Sequence, residues 1–213
     1  GFSFSDHFEK KGTENDIQNV WKLGAKSADL VRERVSEFSI DCDLKEGFID
    51  VATNRKHMDE LIDRAAEWKE SGYHHDLELV DETQVKKYVN TDSYVGGLID
   101  SGSGHIHPLN LCLGEAKAAS ELGVMIYEDT HAVEISSGSP TKVVTDNGII
   151  ESDYIVIAAN AYIGDLNKKL RRMVMPAASC IIATEPLSSE LADKVIPSDM
   201  AVCDQNTILD YYR

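Results

Sequence analysis

Positive charge is scarce in this 213-residue chain: 21 Lys and Arg stand against 37 Asp and Glu, a formal net charge of −16. A surface so acidic repels phosphate backbones, which excludes nucleic acid as an expected partner. No apolar run approaches the length needed to cross a bilayer, so no membrane partner is expected. The opening residues GFSFSDHFEKKGTEND show no basic start followed by an apolar stretch, and no secretory leader is read there. Cysteine is limited to Cys42, Cys112, Cys180 and Cys203, with no CxxC pair among them. That excludes a zinc ribbon and a dithiol redox motif. Thiols so widely spaced are expected to be buried and reduced, in a cytoplasmic setting. A P-loop, a G-x-S-x-G elbow, internal repeats and low-complexity tracts are also missing.

What is present is the patterning of an α/β protein. Ile17, Val20, Trp21, Gly24, Ala28, Val31, Val35 and Phe38 recur at spacings of three and four, predicting a helix over 13–38 with one buried face. Thr13 and Asp16 suit a capping pair at its start. A second helix is predicted over 56–71, with Met58, Leu61, Ile62 and Ala65 inward and Gly72 as the stop. Asp81 caps a short helix, and Pro108 begins another that ends before Gly123. IDCDLKEGFIDVATN alternates and breaks at Gly47, so two strands are expected there; further strands are expected at LELV, GGLIDSG, VMIYED, AVEISS, TKVVTDNG, ASCIIATEPL and ILDYYR. Ile155–Ala159 is a continuous apolar run, the pattern of a strand buried on both faces. The chain stops in TILDYYR without a turn or polar tail, which suggests a section of a longer protein.

One stretch raises a chemical question. DSGSGHIHP, Asp100 to Pro108, opens like a phosphate loop and closes with two histidines one residue apart. A dinucleotide fingerprint needs a third glycine where His107 stands, and Pro108 has no N–H to offer a phosphate. Two histidines at i and i+2 share one strand face, but zinc needs a third or fourth ligand. Asp100, His74, His75 and His131 are the nearest candidates and spacing selects none of them, so no metal site is expected. A turn whose histidines bond to backbone and cap the following helix accounts for the stretch. Cys112 reads as core. Asp210, Tyr211, Tyr212 and Arg213 read as a sheet edge or a pocket lining, and Arg171 and Arg172 as a solvated helix end.

CDLKEGFIDVATN, GGLIDSGSGHIHPLNLCLGEA, ESDYIVIAANAYIGDL and ILDYYR together resemble the FAD-dependent amine and amino-acid oxidases of the D-amino-acid-oxidase superfamily. The resemblance runs over nearly the whole chain and is nearest to the branch that oxidises gamma-glutamylputrescine. It implies an α/β (α+β) fold: a mixed or antiparallel substrate-domain sheet with helices, plus part of a Rossmann-like FAD domain. It also implies a division into 1–106 and 176–213 for the substrate side and 107–175 for the cofactor side. The implied reaction takes a small-molecule amine to aldehyde, ammonia and hydrogen peroxide; glycine or sarcosine as substrate, or a non-catalytic scaffold role, are the alternatives. His105, His107, Tyr211 and Arg213 would lie near substrate and flavin. The backbone of Ala132 would meet adenine, and Ala158, Ala159 and Asn160 the ribose-phosphate side. Relatives more often carry valine and glycine where Ala132 and Asn160 stand. No catalytic base is assigned. This chain alone is expected to hold FAD weakly or not at all, and to self-associate through exposed apolar surface.

Overall fold

The computed structural model describes residues 12–213. The chain forms two compact units, one made by the segment up to Gly123 together with Pro186–Arg213, the other by Val124–Glu185. Eight strands are formed among the described residues: β1 (Lys45–Ala52), β2 (Leu77–Asp81), β3 (Gly96–His105), β4 (Ala132–Ser136), β5 (Thr141–Thr145), β6 (Ile149–Ser152), β7 (Ala201–Asp204) and β8 (Tyr211–Tyr212).

The first unit is built on a five-stranded sheet in the order β2-β3-β1-β7-β8. Only β1 and β7 run parallel; the other pairs are antiparallel. The expected mixed sheet is therefore present, with β1 and β3 at its centre. Where two strands are expected across Gly47, the structure forms the single strand β1. Alternation along these strands sends side chains to both faces. Ala52, Leu77 and Leu98 join one cluster with Trp21, Met58, Leu61, Ala65 and Trp68. Ile49, Val51, Val80, Ile99 and Val202 join a second with Val85, Val89 and Tyr94.

Two long helices cover the first of these faces. Helix α1 (Glu14–Glu37) starts at a capping box, in which the Asp16 N–H donates to the Thr13 hydroxyl and the Thr13 N–H to the Asp16 carboxylate. Every position expected inward on α1 is at least half-buried. Helix α2 (Arg55–Glu70) is capped by Asn54, whose side chain accepts from the His57 N–H. Its buried face is Met58, Leu61, Ala65 and Trp68. Ile62 is a correction: it is 38% exposed, because one position beyond Leu61 rotates the side chain about 100° off the buried stripe. Helix α3 (Glu82–Val85) is capped by Asp81, and α4 (Pro108–Glu121) carries proline in its first turn and ends before Gly123 at φ +94°. Cys112, expected in the core, lies exposed on α4, and Cys180 is exposed as well; Cys42 is buried.

The second unit departs furthest from expectation. Strands β4, β5 and β6 form an antiparallel meander. The segments VMIYED, Ile155–Ala159 and ASCIIATEPL, expected as strands, are not strands. Val156 is 90% exposed and Ile182 93%. The apolar runs are real, but a strand exists only through the hydrogen bonds of a neighbour. A 3₁₀ turn (Asn160–Tyr162) and the short helix α5 (Lys168–Arg171) follow, and α6 (Ser189–Val195) belongs to the first unit. The compact units change over at Gly123 and Glu185, later on both sides than the division expected from family layout, because compactness follows contacts and not ligands.

Truncating the α2 face tests this packing. Leu61→Ala should lower the unfolding free energy by about 2–5 kcal/mol, and Ile62→Ala by well under about 1 kcal/mol. Urea unfolding of the two variants checks the ordering.

Candidate functional site

The DSGSGHIHP stretch is neither a phosphate loop nor a turn: residues through His105 are the last part of β3. Its glycines serve close packing. A Cβ on Gly104 would stand 2.2 Å from the Lys45 carbonyl oxygen of β1, and one on Gly102 would stand 2.3 Å from the His75 ring. Neither has positive φ, so the expectation that these glycines permit a turn is corrected: they permit contact. Asp100 explains the rest of the stretch. Its carboxylate is 3% exposed and accepts from Tyr73 Oη (2.8 Å), the Gly102 N–H (2.9 Å) and Ser103 Oγ (2.5 Å).

At the end of β3 the chain gathers a polar cluster. His105 Nε2 lies 2.7 Å from the Asp199 carbonyl oxygen, which can only accept, so Nε2 carries the proton. Nδ1 then presents its lone pair to Arg213 Nη1 at 2.8 Å. Arg213 Nη1 also donates to the Ile106 carbonyl at 2.9 Å. His107 caps α4: its Nδ1 accepts from the Asn110 N–H and its own N–H donates to the Cys42 carbonyl. Both histidines thus bond to backbone, as their reading from sequence expected.

A cleft of about 290 Å³ opens beside this cluster, lined by Ala28, Arg32, Tyr73, Ser103, Gly104 and His105 among others. Arg32 is fixed there by Glu46, with Nη2 2.7 Å from the carboxylate, and by the Gly102 carbonyl at 2.9 Å. The hydrogen bond to Glu46 raises the Arg32 guanidinium further above its already high range and holds the Glu46 carboxyl below its own. The cleft is therefore apolar along its helix wall and polar at Arg32, whose charge is met by Glu46 and Asp29.

The structure brings His105 and Arg213 into direct contact, with Tyr211 two residues away on β8, where it pairs with Cys203. Tyr212 Oη meets Tyr94 Oη at 2.8 Å. In the second unit, Ala132 begins β4 opposite Thr145, at a bulge. Tyr154–Ala159 belongs to no helix or strand and leads into Asn160, whose φ of +47° is the left-handed turn that asparagine tolerates. Arg32, Tyr73 and Asp199 escaped the sequence reading. They lie far along the chain from His105, and no local pattern links them to it.

Two phenols here titrate abnormally. Burial, then the hydrogen bond to Asp100, pushes Tyr73 well above its ordinary value of 10.0. Burial, then the bond to Tyr94, does the same for Tyr212. A raised phenol favours the neutral folded state, so its contribution is whole below the unfolded value near 10.0 and is lost as pH rises above it. Ultraviolet tyrosinate absorbance should show two phenols that ionise only when the fold is lost, and Tyr73→Phe or Tyr212→Phe should each remove one.

Known proteins resemble the chain closely. It is 40% identical to the probable oxidoreductase OrdL of Haemophilus influenzae and 38% identical to the gamma-glutamylputrescine oxidoreductase of Escherichia coli, each over 98% of this chain and 49% of the relative. The chain thus spans about half the length of the curated relatives it matches. Among solved structures it superposes on L-proline dehydrogenase from P. horikoshii with a TM-score of 0.66 at 16% identity, covering 96% of this chain and 53% of that one. It superposes on glycine oxidase from Geobacillus kaustophilus with a TM-score of 0.60 at 22% identity, covering 76% and 44%. These two likenesses concern the fold. The model of the FAD dependent oxidoreductase (DAO) family matches residues 5–213, and the chain belongs to that family.

Proposed function

We propose that this chain is part of a flavin amine oxidase that converts a primary amine such as gamma-glutamylputrescine to an aldehyde, ammonia and hydrogen peroxide. The observation that carries the reading is the 38% identity to a gamma-glutamylputrescine oxidoreductase, sustained over 98% of the chain. FAD would supply the hydride acceptor. Loss of hydride from the amine-bearing carbon leaves an imine, water hydrolyses the imine to aldehyde and ammonia, and reduction of oxygen to peroxide balances the electrons.

The described residues fit one part of the cofactor and not another. Tyr154–Ala159 forms no strand among the described residues, and the left-handed turn at Asn160 allows close approach. These features suit the adenosine side, with Ala132, Ala158, Ala159 and Asn160 as the residues that would hold it. A pyrophosphate needs backbone N–H groups at a helix start. Gly102 donates its N–H to Asp100, and Pro108 at the start of α4 has none. In this reading 107–175 serves the cofactor, while 1–106 and 176–213 serve the substrate.

On the substrate side, Arg213 has an imidazole and a backbone carbonyl as its partners and no carboxylate among the described residues. Its guanidinium is suited to the free carboxylate of the glutamyl group. His105, locked as the neutral Nε2–H tautomer, positions that guanidinium. Tyr211, half a strand away, and His107 flank the same end of the sheet. A cytoplasmic enzyme is consistent with free thiols and with the absence, among the described residues, of any helix long and apolar enough to cross a membrane.

In the complete polypeptide, peroxide production should be faster with gamma-glutamylputrescine than with glycine, sarcosine or D-alanine; equal rates overturn the substrate assignment. Arg213→Gln should raise KM for that amine about 10- to 100-fold, the worth of one charged hydrogen bond, with a smaller change in kcat. The 213-residue chain alone, purified with excess FAD and freed of unbound cofactor, should show little flavin absorbance, and a stoichiometric yellow protein would refute the account of the pyrophosphate.

A further inference from the structure

Three donor side chains that sequence spacing could not connect meet beside the last part of β3, where the His75 ring packs against Gly102. Asp29 lies on α1, and His74 and His75 on the loop that follows α2. Their ligand atoms all lie within 4.8 Å of one another. His74 Nε2 is 3.0 Å from one Asp29 oxygen and His75 Nε2 3.2 Å from the other. We propose that Asp29, His74 and His75 bind a transition-metal dication of the zinc type.

Three observations carry the assignment. The first is proximity: one ligand atom from each residue lies within 4.8 Å of the others, a span that a single cation about 2.0–2.1 Å from each ligand can bridge with small side-chain adjustment. The second is His75. Its Nε2 is buried and has no hydrogen-bond partner, although it sits against Asp29 Oδ1. A nitrogen held close to an oxygen without a hydrogen bond between them is the arrangement that two ligands of one cation adopt. His74, by contrast, does hydrogen-bond to Asp29. The third is rigidity. The two imidazoles lie 4.0 Å apart, and the Tyr73 ring packs 5.4 Å from His75 and 6.1 Å from His74. A preformed pair of rings loses little freedom on binding.

One cation already touches the site, since Arg32 Nη1 is 3.3 Å from Asp29 Oδ1. Arg32 is nevertheless committed to Glu46 and the Gly102 carbonyl, so Asp29 and Glu46 together leave a net negative charge around it. Two imidazoles and one carboxylate favour zinc, nickel or copper over magnesium or calcium. They also leave a fourth position open to water. A bound metal would tie α1 to the loop after α2 and stabilise the folded chain.

The test uses the untagged, chelator-treated 213-residue chain titrated calorimetrically with zinc chloride. One equivalent should bind with a dissociation constant on the order of micromolar or tighter, and thermal unfolding should move upward with zinc. His74→Gln and His75→Gln should each weaken binding at least about tenfold, while His131→Gln leaves it unchanged. X-ray absorption of the zinc-loaded unsubstituted chain should show two imidazole ligands, which keeps the test independent of how the variants fold. No saturable binding below roughly 100 µM, binding indifferent to His74 and His75, or a zinc shell with fewer than two imidazoles would each overturn the site. None of these readouts involves flavin or amine, so the outcome is separate from that of the oxidase reading.

Discussion

A buried carboxylate organises the first unit. Asp100 sits in the central strand β3 at 3% exposure, and an ion taken that far from water must find donors for its oxygens. Tyr73, Ser103 and the Gly102 N–H supply them. Each donor then constrains something else. Tyr73 anchors the loop after α2 and carries His74 and His75 to Asp29. Ser103 and Gly102 hold the last residues of β3 in a fixed course, which delivers His105 to Arg213. The glycines follow from the same geometry, since the His75 ring and the Lys45 carbonyl occupy the space a Cβ would need.

A partly buried acid, Asp50, performs a similar task across the sheet. Burial pushes the Asp50 carboxyl above its ordinary range, while Arg64 at 3.1 Å and a hydrogen bond from Gln205 pull it back. Asp50 belongs to β1, Arg64 to α2, and Gln205 to the turn after β7. The contact therefore ties the parallel β1–β7 pair to the helix that covers it. In a chain of net charge −16, the few guanidiniums lie where acids are concentrated: Arg32 beside Glu46 and Asp29, Arg64 beside Asp50. Arg213 differs from these two in having no acid beside it among the described residues: its partners are His105 and the Ile106 carbonyl.

The end of β3, the start of α4 and the tip of β8 come together at one end of the mixed sheet. In the second unit, Asn160 takes a left-handed turn after a segment that forms no strand among the described residues. The chain matches about half the length of its curated relatives, and the segments VMIYED, Ile155–Ala159 and ASCIIATEPL keep the apolar pattern of strands without pairing as strands. Pattern and pairing part company there because hydrophobicity is a property of the residues, whereas a ladder is a property of two segments.

Local chemistry was legible in the sequence. The capping box at Thr13, the caps at Asp81 and His107, the apolar faces of α1 and α2, and the alternation in β1 all arise from residues within a turn or two of each other, where sterics and hydrogen bonding act on the chain directly. The family motifs were legible for the same reason, being contiguous words. Only the tertiary structure decided which neighbours are shared across distance. It placed Ile62 off the buried stripe, left Cys112 outside, turned Gly102 and Gly104 from turn formers into contact formers, and chose His74 and His75 over His131 as partners of Asp29. Those outcomes depend on how helices and strands dock, and docking is set by the summed packing of residues far apart in the chain, which no spacing along the sequence encodes.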